Sequence, residues 1–297
     1  MSSWEQVLRR VQDLPSALDS ERADAIQKLA EYRNRNVICY YSGWLQGASS
    51  PAVSINDDDM NGLMNAMYGL KRKDKGLDLV LHTPGGDLAA TESIVNYLRD
   101  CFGNDIVAIV PQLAMSAGTM IACSCREVIM GRQSSLGPTD PQYGGVAAGG
   151  VVEEFDQAVE DIRMRPESIE LWRQIIGKYH PTFLGDCKKA VEMSRSLVGD
   201  WLKSNMLQND TNADEKADAI VKLLCEHKES AMHNRHFSHE RLQEIGMNIT
   251  LLEDDDKLQD LVLTLHHAFM VTFQQTGVSK IVQSSNSSHW IVSVANS

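Results

Sequence analysis

The chain has 297 residues, of which 43% are hydrophobic and 23% are charged, and its formal net charge is −12 at pH 7. These proportions are typical of a soluble globular protein with one large domain or two small ones. The acidic balance argues against nucleic acid and anionic membranes as main partners, because both bind basic surfaces.

The location of the protein is predicted from its apolar segments and its cysteines. Residues 1–15, MSSWEQVLRRVQDLP, lack the uninterrupted apolar stretch of a signal peptide. No segment reaches the roughly eighteen consecutive apolar residues of a membrane-spanning helix. The six cysteines form no CxxC pair, which favours reduced thiols over disulfides or a zinc site. We therefore expect a cytoplasmic protein without a membrane segment.

The first predicted elements are a helix and a strand. Residues 1–35 are charged and helix-periodic, which predicts a polar helical arm. The segment VICYYSGW, residues 37–44, is rich in β-branched and aromatic residues and predicts a strand. The acidic residues 57–59 directly precede the helical pattern MNGLMNAMYGL. Because carboxylates stabilise the start of a helix, we interpret them as its beginning rather than as a metal site.

Strand and helix patterns alternate in the next part of the chain. The predicted strands are LDLVLHTPGGD (77–87, ending in a glycine turn), NDIVAIVPQ (104–112) and REVIMG (126–131), separated by the helices LAATESIVNYLRDC and MSAGTMIACSC. This alternation predicts an α/β fold with largely parallel strands and right-handed crossovers. The strands are apolar with little alternation, which indicates a sheet buried on both faces.

The composition changes after the third of these strands. Residues 133–150 are rich in Gly, Pro, Ser and Thr, which predicts a loop long enough to have a function. From about residue 153 the chain becomes helical and charged, and residues 258–277 have the pattern of a long apolar-striped helix. Within residues 278–297, KIVQ and HWIVSV look like short strands, and this tail carries no stronger signal.

Three short motifs follow consecutive predicted strands: TPGGD at 83–87, AMSAGT at 114–119 and LGPTDPQ at 136–142. Open α/β sheets bind ligands at the carboxyl ends of their strands. The sequence therefore predicts that the three motifs meet at one edge of the sheet and form a site there.

The chemistry of the motifs points to a nucleophile and an oxyanion hole. Ser116 would stand at a helix start, where unpaired N–H groups favour an alkoxide and its tetrahedral adduct. Gly85 and Gly86 let the backbone approach a ligand, and a glycine N–H together with that of Ala117 would bind the oxyanion. A lone serine before a helix is more often an N-cap. The order and spacing of the three motifs favour the catalytic interpretation.

The stretches LVLHTPGGDLAATESIVNYLR and VPQLAMSAGTMIACSCREVIMGRQSSLGPTDPQYGG resemble the serine dehydrogenase proteinase family. This family is a distant relative of the Clp peptidase and of signal peptide peptidase A. The resemblance is strong over residues 77–145 and weaker to about 283, and it implies the ClpP/crotonase fold of repeated ββα units. We predict a helical N-terminal arm at 1–35, a peptidase domain with a helical C-terminal extension at 36–283, and a tail at 284–297.

The family resemblance implies a serine peptidase with a Ser–Asp–His order along the chain. The implied site residues are the nucleophile Ser116, the oxyanion-hole residues Gly85, Gly86 and Ala117, the aspartate Asp140 and the histidine His233.

Several residues could serve as the general base for Ser116. His233, His236 and His239 crowd one segment, and we favour His233 over His236. The signal peptide peptidase relatives use a Ser–Lys dyad instead. Lys178, in IIGKYHP beside His180, is the candidate lysine, and such a base requires burial to lower its pKa.

The predicted function is that of a cytosolic serine peptidase that cleaves peptides or unfolded protein segments through an acyl-enzyme. The resemblance also implies a homo-oligomer. The chain has no P-loop pattern, so energy-driven unfolding would require a separate activating partner. Neither GxGxxG nor metal-ligand spacing is present, and we expect no cofactor and no metal. The alternatives are a catalytically inactive ClpP-like scaffold or binding protein, and a crotonase-type acyl-CoA enzyme, which would need a basic rim for CoA.

Overall fold

The computed structural model describes residues 15–48, 51–70, 73–143, 145–225 and 235–293. Over these ranges, the helices are all too short or too polar to cross a bilayer. Strands and helices alternate up to the third motif, a helical region follows, and the described chain ends in two further strands.

The strands are Asn36–Ser42 (β1), Leu77–His82 (β2), Ile106–Val110 (β3), Leu113–Ala114 (β4), Glu127–Met130 (β5), Ser135–Leu136 (β6), Gln142–Tyr143 (β7), Val146–Ala147 (β8), Ile249–Leu251 (β9), Val278–Ser284 (β10) and His289–Ser293 (β11). The α-helices are Pro15–Arg33 (α1), Asp59–Tyr68 (α2), Leu88–Phe102 (α3), Ala117–Ser124 (α4), Ala148–Met164 (α5), Ile169–Ile176 (α6), Phe183–Trp201 (α7), Ala213–Cys225 (α8), His239–Glu244 (α9) and Asp256–Gln275 (α10).

The main sheet has seven strands within the described ranges, in the order β11-β10-β1-β2-β3-β5-β9. Strands β1, β2, β3, β5 and β9 run parallel, whereas β10 pairs antiparallel with β1 and with β11. The predicted α/β architecture with a largely parallel sheet is confirmed. The segment KIVQ lies in β10 and the first five residues of HWIVSV form β11, so both are strands as predicted.

Both faces of the main sheet are buried. In β2, Leu77, Leu79 and Leu81 pack in one apolar cluster with α2, α3 and α4. Val80 points to the other cluster, which contains α1 and α10. Alternate residues of the strand thus face two different cores, which agrees with the predicted sheet that is buried on both faces.

Short second strands follow the main strands at their carboxyl ends. Strand β4 pairs in parallel with β6, and isolated bridges join Thr83 to Ala114 and Ile55 to Gly86. Main strand, second strand and helix therefore recur as a ββα unit, and the fold expected from the resemblance is confirmed. The second strands bring the three motifs into one row.

Helix α1 packs onto the sheet beside α10. Ile26 and Leu29 are buried in the cluster that contains α10. Arg22 is fully buried and donates hydrogen bonds to Gln283 Oε1 at 3.0 Å and Thr272 Oγ1 at 2.7 Å. The helix predicted in the first part of the chain is thus integrated with the core, and the three-part division into arm, peptidase domain and tail stays a prediction.

The loop predicted at residues 133–150 is shorter in the structure. It contains β6 and the small β7–β8 hairpin, and α5 begins at Ala148. Helix α5 has no side-chain cap from its own N-cap residue, Ala147. Instead, the N–H of Gly149 donates to Asp140 Oδ1 at 3.1 Å. This bond satisfies a free donor of the first turn and lets a glycine-rich segment start a helix.

Candidate active site

A cleft of about 690 Å³ lies at the carboxyl ends of the parallel strands, where the three sequence motifs meet. Segments 51–56 and helix α7 complete its walls. The lining residues are Pro51, Ser54, Ile55, Asn56, Pro84, Gly85, Gly86, Asp87, Leu88, Ser116, Ala117, Met120, Thr139, Pro141, Gln142, Tyr143 and Ala190.

Ser116 is held in a strained conformation at the turn between β4 and α4. Its backbone angles are φ 50° and ψ −114°, a region that residues other than glycine rarely adopt. It occupies the N-cap position of α4 without a side-chain cap bond, and no hydrogen bond of its Oγ is found among the described residues. The N-cap interpretation therefore does not explain this serine. Its hydroxyl is left open to the cleft.

The two glycines of TPGGD lie too close to their neighbours to be replaced by larger residues. Gly85 has φ 98°, and a Cβ there would lie 2.6 Å from the Cβ of Ser116. A Cβ at Gly86 would lie 2.2 Å from the carbonyl oxygen of Ile55. Both distances are far below van der Waals contact, so glycine is required for the first motif to approach the second.

Two backbone donors next to Ser116 are uncommitted. Ile55 N–H donates to Gly85 O and Asp87 N–H donates to Ile55 O, both at 2.8 Å, which secures the chain on either side of Gly86. Among the residues that the structure describes, neither the Gly86 N–H nor the Ala117 N–H takes part in a backbone hydrogen bond. Ala117 is the first residue of α4, so its N–H also benefits from the helix dipole. Two such donors could bind an oxygen atom that becomes negatively charged.

A model of the ClpP-like SDH-type serine proteinases matches residues 14–271. The chain belongs to this family. It is 30% identical over 206 residues to the uncharacterized protein MJ0137 of Methanocaldococcus jannaschii and 29% identical over 195 residues to MJ1495 of the same organism. These alignments cover 69% and 66% of this chain and 62% and 59% of the relatives. The chain thus spans about three fifths of the length of these relatives.

The aspartate implied by the family resemblance, Asp140, lies in the loop between β6 and β7. It is fully buried, and the Gly149 N–H holds one of its carboxylate oxygens. Its neighbours Thr139 and Pro141 line the cleft. The loop is itself secured, because Thr139 O accepts a hydrogen bond from Ser194 Oγ at 2.8 Å. The structure therefore brings the third motif to the cleft with its carboxylate on the buried side.

The family's general base is not among the groups that the described structure brings to Ser116. His233 lies outside the described residues. His236 and Lys178 are exposed, and neither lines the cleft. A lysine base would need burial, which Lys178 lacks. His180 is also exposed, and its Nδ1 lies 3.2 Å from Thr182 Oγ1, whereas His239 is buried at the start of α9.

None of the cysteines is among the residues that line the cleft. All six are free thiols. Cys225, whose Sγ lies 3.0 Å from Thr139 Oγ1, is the thiol next to the third motif. Burial raises the pKa of Cys225 to about 11 and that of Cys125 to about 12. These thiols stay protonated at neutral pH, and a protonated thiol is a poor nucleophile.

The charge of the cleft is low. Its lining residues include no lysine or arginine, and the carboxylate of Asp87 caps α3 by accepting the Ala90 N–H at 2.8 Å. Over the described ranges, no group of three or more His, Cys, Asp or Glu residues could hold a metal ion. The lining residues therefore offer no cationic side chain to a phosphate group.

Sequence reasoning missed one residue that organises the motifs. The Thr119 hydroxyl donates to Ala114 O at 2.8 Å and accepts the Gly137 N–H at 2.9 Å. It thereby joins β4, α4 and the third motif under Ser116. The threonine stands inside AMSAGT, but nothing in its local pattern indicates a bond to a residue in another motif.

Proposed function

We propose that this chain is a serine peptidase that hydrolyses peptide bonds through an acyl-enzyme on Ser116. The observation that carries the proposal is the combination of a strained, uncapped Ser116 with the uncommitted N–H groups of Gly86 and Ala117 in one cleft. Strain of about 1–3 kcal/mol at a residue of this kind is a frequent feature of functional sites.

The reaction follows from these groups. Ser116 Oγ attacks the scissile carbonyl carbon, and its proton passes to the general base. The carbonyl oxygen becomes an oxyanion that accepts hydrogen bonds from the Gly86 and Ala117 N–H groups. Collapse of this adduct breaks the C–N bond, and the base returns the proton to the leaving amine. Water then repeats the attack on the ester and releases the acid and free Ser116.

His233 is the base in this proposal, and Asp140 is the residue that orients it. The assignment comes from the family resemblance. The described residues on both sides of the segment that carries His233 support it. On one side, Cys225 contacts Thr139. On the other, Phe237 pairs with Leu136 through two hydrogen bonds of 2.8 and 3.2 Å. Leu136 and Thr139 belong to the motif LGPTDPQ, which also contains Asp140.

The proposed substrates are peptides or unfolded protein segments. Apolar side chains, among them Ile55, Leu88 and Met120, line the cleft beside Ser116. The acyl-CoA alternative requires cations for the CoA phosphates, and the lining residues supply none. Assembly into a homo-oligomer, a separate activating partner and a cytoplasmic location remain predictions. The exposed apolar side chains of Met164 and Leu171 support assembly into an oligomer. The free thiols support a cytoplasmic location.

A fluorophosphonate probe tests the proposal. We expect the wild-type chain and Ser196→Ala to be labelled, with the adduct mapped to Ser116 by mass spectrometry, and Ser116→Ala to remain unlabelled. Ser196 is the matched control because it is an exposed serine on α7. Labelling of Ser116→Ala at the wild-type rate would overturn the assignment. A folded wild-type chain that stays unlabelled with and without cell extract would favour the inactive scaffold.

The same probe identifies the base. Labelling should be lost in His233→Ala and retained in His236→Ala and Lys178→Ala. Loss in Lys178→Ala with retention in His233→Ala would replace the proposed triad by a Ser–Lys dyad.

A further inference from the structure

A buried ion pair lies behind the cleft, and one of its two residues is outside the part of the chain that matches the family model. The Nζ of Lys280, on β10, is 2.6 Å from Asp59 Oδ1, and both side chains are almost completely buried, with 1% and 0% exposed. The Tyr40 hydroxyl donates to the other carboxylate oxygen of Asp59 at 2.6 Å. The family model ends at residue 271, so Lys280 is a contribution of this chain beyond the matched region.

Stability alone is a weak reason for such a pair. Two charges lose their hydration on burial, and replacing a buried ion pair by apolar residues is often neutral or stabilising. Burial lowers the pKa of Lys280, and the attraction of Asp59 opposes this shift. The pair therefore calls for a role that depends on its geometry.

The ion pair holds the main chain on both sides of Ile55. Lys280 Nζ donates a second hydrogen bond, to Ser54 O at 2.7 Å. Asp59 Oδ2 accepts the Asn56 N–H at 3.0 Å. The residues before and after Ile55 are thus tied directly to the two charged groups.

Ile55 in turn holds the chain on both sides of Gly86. Its N–H and its carbonyl oxygen make the two 2.8 Å bonds to Gly85 O and Asp87 N–H described above. Its backbone nitrogen would lie 2.3 Å from a Cβ on Gly86, so the two segments are in direct contact. A displacement of Ile55 would therefore be transmitted to the Gly86 peptide plane.

We infer that Lys280 and Asp59 are positioning residues for the Gly86 N–H of the oxyanion hole. This inference rests on the proposed function, because it assigns a role in stabilising the oxyanion that forms at Ser116. The pair orients a donor toward charge that develops during the reaction. It does not touch the substrate. Its loss should therefore slow the chemical step more than it weakens binding of the uncharged probe.

The experiment separates binding from chemistry with a fluorophosphonate, measured as the inactivation constant KI and the limiting rate kinact. The variants are Tyr40→Phe, Lys280→Met and the double variant Lys280→Met/Asp59→Leu. Removal of an oxyanion donor costs about 100-fold to 1,000-fold. For a donor that is displaced rather than removed, we expect kinact to fall about 10-fold to 100-fold in Lys280→Met, with KI within about twofold of the wild type.

A spectroscopic readout reports on the hole itself. The phosphoryl oxygen of the Ser116 adduct accepts hydrogen bonds from the oxyanion hole, so its ³¹P chemical shift should move in Lys280→Met toward that of the denatured adduct. Asp78→Asn is the matched control. It breaks a buried carboxylate–arginine contact at the other end of β2, with Arg33 and Arg35, and should leave kinact and the chemical shift unchanged.

The outcomes distinguish this inference from the proposed function. No labelling of the wild-type chain would overturn both. Labelling of the wild type with an unchanged kinact in the folded Lys280 variants would overturn the positioning role alone. If Lys280→Met does not fold, the double variant, which leaves no buried charge unpaired at this place, decides the question in the same way.

Discussion

At the N-terminal end of β2, the fully buried Asp78 accepts hydrogen bonds from Arg33 at 2.7 Å and from Arg35 at 2.6 Å. Just beyond the C-terminal end, the N–H of Gly86 has no backbone acceptor in the described part of the chain, and Ser116 is strained. At one end of the strand a buried polar group is bonded to protein partners, whereas beyond the other end a backbone donor of the described chain has no backbone acceptor. The contrast teaches that the sheet is stabilised away from the cleft, which allows the cleft itself to carry strain and open donors.

The largest expected effect is at the cleft and compares two glycines of similar conformation. Gly85 has φ 98° and touches Ser116, whereas Gly47 has φ 92° and would have nothing within 4 Å of a Cβ. Alanine at either position costs about 1–2 kcal/mol of backbone strain. In Gly85→Ala the Cβ also collides with Ser116, so we expect the fluorophosphonate rate to fall about 100-fold or more. Gly47→Ala should keep the wild-type rate at reduced stability, and equal rates in the two variants would contradict the role of Gly85.

The second prediction concerns the opposite end of β2. Asp78→Asn removes the buried carboxylate that Arg33 and Arg35 share, and Arg35 keeps its ion pair with the half-exposed Asp105 at 2.9 Å. We expect the free energy of unfolding, measured by urea denaturation, to fall by about 3–5 kcal/mol. The rate of labelling for each folded molecule should not change. The control is Glu170→Gln, which removes an exposed ion pair with Arg173 and should cost less than about 1 kcal/mol. A slower labelling rate in Asp78→Asn would show that the two ends are coupled.

The smallest expected effect is a pH dependence of stability from two buried histidines. His82 lies between Trp44, with ring centroids 4.3 Å apart, and His266, 5.3 Å apart. Burial, and secondarily the neighbouring His266, lowers the pKa of His82 well below its usual value. Burial lowers the pKa of His266 to about 3. Both rings are thus neutral in the folded protein, whereas the unfolded chain binds protons below about pH 6.5.

The sign follows from this difference in proton binding. The stability from each neutral histidine is complete above pH 6.5 and is lost as the pH falls, for His266 down to about pH 3. Between pH 7.5 and 5.5 each should lose about 1.4 kcal/mol of unfolding free energy. His266→Gln should remove about half of the combined loss in urea titrations at the two pH values. An unchanged loss would show that His266 titrates normally in the folded state.

Much of the cleft was predictable because its components are local. The three motifs contain glycine, proline and serine, whose backbone preferences do not depend on tertiary context. These residues predict tight turns in TPGGD and LGPTDPQ and a helix start with small residues in AMSAGT. The alternation of apolar strands and helices likewise predicted a doubly covered parallel sheet, and the strand ends then had to meet at one edge.

The Lys280–Asp59 ion pair behind the cleft could not be predicted, because it depends on tertiary contacts and not on local sequence. Asp59 followed two other aspartates before a helical pattern, so a helix start explained it without a distant partner. Lys280 stood in a tail with only short strand-like segments. Their contact depends on β10 pairing with β1, which is a property of the whole sheet. The same holds for Thr119, whose two bonds cross between motifs.

The antiparallel position of β10 beside β1 sets an order of events during synthesis. A ribosome completes the Ser116 turn and both glycines long before it reaches Lys280. Until β10 emerges, β1 is an uncovered sheet edge, which chaperones would have reason to shield. If Lys280 positions Gly86 as inferred, a nascent chain carries the nucleophile but not the finished oxyanion hole. If the chain is a serine peptidase as proposed, its full activity then arises only after β10 has paired with β1, and the unfinished chain cleaves itself or its neighbours more slowly.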